Sequence, residues 1–401
     1  PAIDIRVLGK ASLSAKTPVR LPETGKKIAV IGGGAAGLSV AWQLWMKGHE
    51  AVIIEGRKKL GGKITDSIPK SRIPVDVVEH EINRLAKCIR KMHLGKPLTK
   101  ERFLNLKQEN DYMVIAAGAV KPRKLNVPGM EKALTALEFL QQSKLDCAEV
   151  GKRVVIVGAG NVGCDAATEA FRLGAQSVTL IDIQPPASFG IEREHAEAAG
   201  AKFLWPRFTK AVTDEGVVLT DGELLPAETV IVAVGDMPDL SFLPDEIRTE
   251  KNFITVDETY ATSDPQVYAI GDVVRPGLLT DAIGAGRIAA RTIDGLLRGA
   301  SETYDKLPAI QYERVKLQYF DSRMGEFTDT SSCANSCASC GACRDCGMCE
   351  EICPQNAITR KETAGGGFEY IVNDEKCIGC GFCAGACPTG VWEIMENEPV
   401  E

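Results

Sequence analysis

An α/β chain of two doubly wound parallel-sheet domains, closed by a small α+β domain rich in cysteine, is the fold this sequence predicts. Three observations predict it. A short apolar strand, a G-x-G-x-x-G turn and a helical pattern follow one another twice, starting at Lys27 and at Arg153. Each succession leads to a second strand that ends on an acid, Glu55 or Asp182. Of 14 cysteines, eleven lie between Cys333 and Cys387, in two ladders of three- and four-residue steps.

Length and composition fit that outline. A chain of 401 residues has room for two or three domains with cores of their own. Hydrophobic residues at 44% and charged residues at 25% are ordinary for a globular protein. No apolar run approaches the roughly 18 residues of a membrane span, and no signal peptide opens the chain. The chain starts at Pro1 rather than Met, so upstream residues are expected to have been removed or not supplied. From residue 331 onward four Lys/Arg face eleven Asp/Glu. That tail accounts for the whole formal charge of −7 and leaves residues 1–330 neutral. An acidic tail disfavours nucleic acid and suits either docking to a basic partner or simple solubility.

In chain order, residues 1–27 form a lead segment. Lys27-Ile28-Ala29-Val30-Ile31 reads as a buried strand, and Gly32-Gly33-Gly34-Ala35-Ala36-Gly37 as the turn that opens a helix. Ala51-Val52-Ile53-Ile54-Glu55 completes a βαβ unit. The second unit runs from Arg153-Val154-Val155-Ile156-Val157 through Gly158-Ala159-Gly160-Asn161-Val162-Gly163 to the strand ending at Asp182. The two turns lie 126 residues apart, far beyond any solenoid period, so they mark two Rossmann-like domains. Residues 301–332 lack glycine turns and strand alternation and read as a linker with a short helix.

The chemistry of such a turn is specific. Its first glycine (Gly32, Gly158) permits the strand-to-helix bend, and its second (Gly34, Gly160) lets a pyrophosphate approach the backbone. The third (Gly37, Gly163) lets helix and strand close up, leaving phosphates on the free N–H groups of the helix start. The acid some 20 residues on accepts ribose hydroxyls. A carboxylate at Asp182 suits a free 2′-hydroxyl and repels a 2′-phosphate, and Ile183-Gln184-Pro185-Pro186 supplies no arginine to reverse this. NADH is therefore expected over NADPH.

The cysteine ladders point to iron and sulfide. Cys343-x2-Cys346-x2-Cys349-x3-Cys353-Pro354 and Cys377-x2-Cys380-x2-Cys383-x3-Cys387-Pro388 are two complete bacterial ferredoxin runs. Three thiolates from one loop cap three irons of a cubane, and the fourth, beside proline, belongs to the other cluster. One [4Fe–4S] cluster then takes Cys343, Cys346, Cys349 and Cys387, and the other Cys377, Cys380, Cys383 and Cys353. Cys333, Cys337 and Cys340 remain over. They are ligands of a third cluster with a fourth ligand from elsewhere, or unligated thiols. Cys-rich ladders in a large chain also argue for a reducing, cytoplasmic compartment.

The order of motifs resembles the two-dinucleotide-binding-domain flavoproteins, and most of all the glutamate synthase small-subunit family. The stretches that carry the likeness are VIGGGAAGL with Glu55 and Leu60-Gly61-Gly62, YMVIAAGAVKPRKLNVPG, VGAGNVGCDAA, and VYAIGDVVRPGLLTDAIGAGRIAA. The resemblance implies FAD on the first fingerprint and the nicotinamide nucleotide on the second. It implies an FAD domain in two pieces, 28–128 and 245–300, around an NAD(H) domain at 129–244, with the 2[4Fe–4S] ferredoxin-like domain at 333–401. It also implies that Gly62, Gly118 and Asp272 serve the flavin, with Asp272 near the ribityl-phosphate region. Ala282 and Ile283, at a helix start, would aim positive potential at the flavin pyrimidine. Gly235 falls in the loop beside the nicotinamide domain. Two departures stand out: many members carry paired arginines where this chain has Asp182-Ile183-Gln184, and the family's Cys-rich N-terminal domain is missing from these residues.

Nothing here supplies the dithiol that disulfide reductases of this fold need. Residues 60–64 contain no thiol, Cys147 is alone and Cys164 opens an apolar helix. His49, His80, His93 and His195 are scattered, so no general acid or base is expected. The expectation is an FAD-dependent NAD(P)H:acceptor oxidoreductase that links a two-electron donor to one-electron carriers. It would be the electron-input subunit of a hetero-oligomeric complex with a ferredoxin, reductase or synthase partner. The alternatives are a non-catalytic relay subunit and an electron-bifurcating one.

Overall fold

The structure is a computed structural model that describes residues 7, 9, 19–89, 91–123, 125–299, 312–319, 327, 329–337, 342–364 and 366–394. The chain divides into two compact units, Pro18–Asp305 and the remainder, Pro1–Thr17 with Lys306–Glu401. No helix among the described residues is long and apolar enough to cross a membrane.

The larger unit contains two five-stranded parallel sheets. In the first, β1 (Lys27–Ile31), β2 (Glu50–Glu55), β3 (Lys91–Leu94) and β4 (Tyr112–Ile115) are joined by a strand from far along the chain, Val267–Ala269. The order is Val267–Ala269, β4, β1, β2, β3. The second sheet uses β5 (Leu134–Thr135), β6 (Arg153–Val157), β7 (Ser177–Ile181), β8 (Lys202–Leu204) and β9 (Thr229–Val232) in the order β5, β9, β6, β7, β8. In both, the strand before the glycine turn lies in the middle. That placement puts each turn at the carboxyl edge of its sheet, where such folds take ligands.

Continuous apolar runs make these strands because both faces are covered. Ile28 and Val30 pack on one face of the first sheet, against Val40, Leu44 and Ile293 of α1 (Ala35–Met46) and the long helix at 279–297. Ala29 and Ile31 pack on the other, with Phe103, Met113 and Phe242. β6 divides in the same way: Val154 and Ile156 face α2 (Asn161–Arg172), and Val155 and Val157 face Val217 and Leu219. The helix at Leu279–Leu297, α3, lies against α1 at Gly286, where a Cβ would come within 2.8 Å of Ser39. The main chain passes between the two sheets along Lys121–Pro122 and back along Asp236–Met237, and these segments pair antiparallel.

The smaller unit is built on a hairpin, Ile358–Glu362 with Phe368–Val372, and two short helices, Met348–Glu351 and Phe382–Ala386. Residues 312–319 correct one expectation. Their sequence looks like linker, but they belong to this unit: Val315 is buried, Lys316 N–H donates to Pro388 O at 3.0 Å, and Arg314 reaches Val391 O and Glu393. Their polarity hides the packing, because the partner segment lies some 70 residues later. Residues 301–311 and Cys340 lie outside the described residues.

Candidate functional site

The two glycine turns are built alike, and each glycine has its own cause. A Cβ at Gly37 would lie 1.9 Å from Gly32 O, and one at Gly163 would lie 2.3 Å from Gly158 O. The third glycine is therefore demanded by the fold itself. The second is not: a Cβ at Gly34 or Gly160 would meet no protein atom within 4 Å, and both have ordinary negative φ. Each stands at the N-cap of a 12-residue helix with no side chain capping it. Open space and uncapped N–H groups at a helix start are what a pyrophosphate fills, so both turns fit a dinucleotide.

The two acids are placed equivalently. Glu55 Oε2 accepts the Gly33 N–H at 2.6 Å, and Asp182 Oδ2 accepts the Ala159 N–H at 2.8 Å. Each thereby ties the end of the second strand to the turn. The second oxygens accept Arg57 N–H at 2.8 Å and Gln184 N–H at 3.3 Å. A carboxylate keeps acceptor capacity after two such bonds, so a ribose hydroxyl can still be taken.

Of the residues expected around the flavin, Gly32, Gly34, Glu55, Gly62, Gly118, Asp272 and Ala282 line one cleft. Gly62 and Gly118 have φ of +52° and +70°. Ile283 is not part of that lining: its side chain is 47% exposed and its carbonyl accepts from Ser39. The helix there starts at Leu279, and the Ala282 N–H is already bonded to Leu278 O. Any free N–H at this end belongs to the turn before Ala282, and Leu279 itself lines the cleft. Gly235, φ +94°, follows β9 beside Asp236.

Lys63, which no sequence motif singles out, also lines this cleft. Its Nζ lies 3.1 Å from Asp272 and 3.0 Å from Asp236. Burial opposes its charge, but the two carboxylates outweigh burial and raise its pKa. Across the same cleft Arg72 reaches Asp165 at 2.8 Å and Glu192 at 2.5 Å. Burial pushes the Asp165 carboxyl up to about 6, against Arg72 and with help from Glu192 and Glu169. Asn161, at the start of α2, lines this cleft and also an adjoining one of about 1070 Å³ that includes Gly160 and Phe189. The two fingerprints thus open onto neighbouring space.

The histidines take no part. His49 is fully buried between Thr24 and Asp294, and burial lowers its pKa; the other three are exposed. Cys164 is buried in the core, which raises its thiol pKa. Cys147 is exposed.

In the smaller unit Cys343, Cys346, Cys349 and Cys387 line one cavity with Tyr370, Thr389 and Trp392. Among the described residues no three His, Cys, Asp or Glu side chains are placed to hold a metal ion. A cubane, with one thiolate on each corner iron, asks instead for thiols standing apart around a cage, and this set fits it. Asp345, between the first two cysteines, is clasped by both arms of Arg360 at 2.7 and 2.8 Å and by the Tyr370 hydroxyl at 2.8 Å. In the second set Cys377 and Cys380 are exposed, and Cys353 and Cys383 are half-buried. Cys333 is buried and Cys337 half-buried near the helix Thr330–Asn335.

Comparison with known proteins agrees with this division. Residues 26–286 match the pyridine nucleotide-disulphide oxidoreductase family, and residues 342–391 match the 4Fe-4S dicluster domain. The NADP(+)-dependent formate dehydrogenase subunit beta of Moorella thermoacetica is 33% identical over 69% of this chain and 44% of its own. The glutamate synthase [NADPH] small chain of Azospirillum brasilense is 29% identical over 72% of this chain and 69% of its own. The chain thus spans less than half the length of the first of these relatives. Thioredoxin reductase of T. acidophilum shares the fold, with a TM-score of 0.54 and 22% identity over 67% of this chain and 98% of that one.

Proposed function

We propose that this chain, which belongs to the pyridine nucleotide-disulphide oxidoreductase family and carries a 4Fe-4S dicluster domain, moves electrons between NAD(H) and a one-electron partner. FAD and two [4Fe–4S] clusters are its cofactors in this reading, and it serves as the electron-input subunit of a larger complex. The observation that carries the reading is the convergence of the two fingerprints on adjoining clefts, in a chain that also holds eight cysteines in ferredoxin spacing.

When bound, the flavin exchanges two electrons with a nicotinamide and single electrons with an iron–sulfur cluster. The residues supply binding and charge. The turns at Gly32–Gly37 and Gly158–Gly163 hold pyrophosphates, and Glu55 and Asp182 hold riboses. Lys63 pairs with Asp272 and Asp236 and cancels part of their negative charge, which weakens their repulsion of a phosphate in this cleft. Cys343, Cys346, Cys349 and Cys387 hold one cluster, and Cys353, Cys377, Cys380 and Cys383 the other. Disulfide chemistry has no support, because residues 60–64 carry no thiol. NADH is favoured by Asp182, although both relatives above bear NADP(H) in their names.

The test is anaerobic. The holoprotein is mixed with NADH and its flavin absorbance followed, with benzyl viologen as terminal acceptor. Bleaching followed by viologen reduction supports the reading. A flavin that stays oxidised with NADH and NADPH alike, and is reduced only through a partner, would make the chain a relay.

A further inference from the structure

The cysteine-rich domain contains its own internal control. Its two runs share the same backbone: left-handed residues occur at Asp345 and Gly379 and again at Gly347 and Gly381. Each run then enters a short helix and ends in Cys-Pro. The sulfurs of the closing cysteines are cradled alike. Cys353 Sγ accepts the Ala357 N–H at 3.2 Å and Cys387 Sγ accepts the Val391 N–H at 3.4 Å, four residues on in both cases. Backbone N–H groups two and five residues on also face each sulfur: Gln355 and Ile358 for Cys353, Thr389 and Trp392 for Cys387.

The side chains at those two offsets are not alike. Two residues after Cys387 stands Thr389, 2% exposed, with its hydroxyl 3.7 Å from Cys387 Sγ. Two residues after Cys353 stands Gln355, which is exposed. Five residues after Cys387 stands Trp392, whose side chain shares a cavity with Cys349 and favours its thiolate form. Five after Cys353 stands Ile358, which has no polar side-chain atom. Thr389 and Trp392 line the same cavity as the four thiols of that set.

A thiolate on iron has no proton to give, so the hydroxyl and the indole N–H can only donate toward it. Donors aimed at cluster sulfurs favour the reduced state, which carries one more negative charge. We infer that Thr389 and Trp392 raise the reduction potential of the cluster held by Cys343, Cys346, Cys349 and Cys387 above what its backbone cradle alone provides. The two clusters are thereby made inequivalent, and Thr389 and Trp392 are tuning residues. The change they bias is a one-electron reduction with no bond made or broken at either residue. The inference rests on the two-cluster reading above.

The experiment is EPR-monitored potentiometry on the full chain, reconstituted anaerobically, with iron and sulfide measured on every sample. Thr389→Val and Trp392→Phe should each lower one of two transitions and leave the other in place. The expected size is up to about tenfold in the reduced fraction at fixed potential, about 59 mV for a one-electron couple. Thr389→Ser, which keeps the hydroxyl, should stay at the wild-type value. Should Thr389→Val lose iron, Trp392→Phe carries the test by itself. Unmoved transitions, or both clusters shifting together, overturn the inference while two clusters per chain remain established. Fewer than two clusters in the wild type overturns the two-cluster reading first, and the inference with it.

Discussion

Asp182 Oδ2 accepts the backbone N–H of Ala159 at 2.8 Å, so the acid that would read a ribose also fastens the turn that would hold its pyrophosphate. A substitution that truncates this side chain would therefore change recognition and loop together, since Ala159 is buried and its N–H would lose its acceptor, costing about 1–3 kcal/mol. Asp182→Asn separates the two roles. It keeps an oxygen for the Ala159 N–H and removes the charge that repels a 2′-phosphate. The ratio of kcat/KM for NADH over NADPH should fall by about tenfold, which is about 1.4 kcal/mol, with the melting temperature nearly unchanged. Steady-state viologen reduction with both nucleotides measures it. An unaltered ratio would remove Asp182 from recognition.

Gly34 and Gly37 are three residues apart and should fail in different ways. Gly37→Ala places a methyl 1.9 Å from Gly32 O, so strand and helix must separate, and the protein should lose several kcal/mol of stability. Gly34→Ala meets no protein atom within 4 Å, so the fold should persist while flavin affinity falls. Absorbance of the purified protein and a thermal melt distinguish the two variants. A yellow, fully loaded Gly34→Ala protein would show that this space is not the pyrophosphate cradle.

Sequence separation decides which of these contacts are legible in the sequence. The contact that demands Gly37 closes over five residues, and the acid ties close over 22 and 23, so spacing alone displays them. Lys63 finds Asp272 at a separation of 209 residues and Arg72 finds Asp165 at 93. No local pattern announces pairs that only the tertiary fold brings together. The start of α3 at Leu279 is obscured for another reason: its N-cap is Leu278, which no cap signal marks, while the cap-type residues Thr280 and Asp281 already lie inside the first turn. Thr389 is hidden differently. It resembles any residue after Cys-Pro until the run at Cys353 is laid beside it, and the sequence alone permits that comparison.

The crossed assignment of cysteines makes an exclusive forecast. Cys353 follows the run of Cys343, Cys346 and Cys349, yet is assigned to the cluster of Cys377, Cys380 and Cys383, and Cys387 lines the cavity of the other set. Cys353→Ala should therefore lower iron from about eight to about four per chain and spare the more buried cluster. That cluster's EPR signal should match the one displaced by Trp392→Phe, because Trp392 lies with Cys349. A Cys353→Ala protein that instead loses the Trp392-sensitive signal would show that ligands are not exchanged between the runs.

The pairing of Arg72 with Asp165 carries a pH dependence whose sign follows from burial. Desolvation is the largest influence on Asp165 and raises its carboxyl to about 6, with Glu192 and Glu169 adding to the rise and Arg72 opposing it. In the unfolded chain the same carboxyl titrates near 3.8. The folded protein thus holds this proton more tightly, so the associated stability is complete below about pH 3.8 and is lost as pH rises through about 6. Asp165→Asn removes the titration while Arg72 keeps its bond to Glu192. Relative to wild type, the variant should gain about 1 kcal/mol between pH 5 and pH 7. Denaturant melts of the larger unit's fluorescence at pH 5, 6 and 7 measure this difference. A gap between variant and wild type that stays constant over that range would place the Asp165 pKa near its ordinary value and leave Arg72 as a plain ion-pair strut across the cleft.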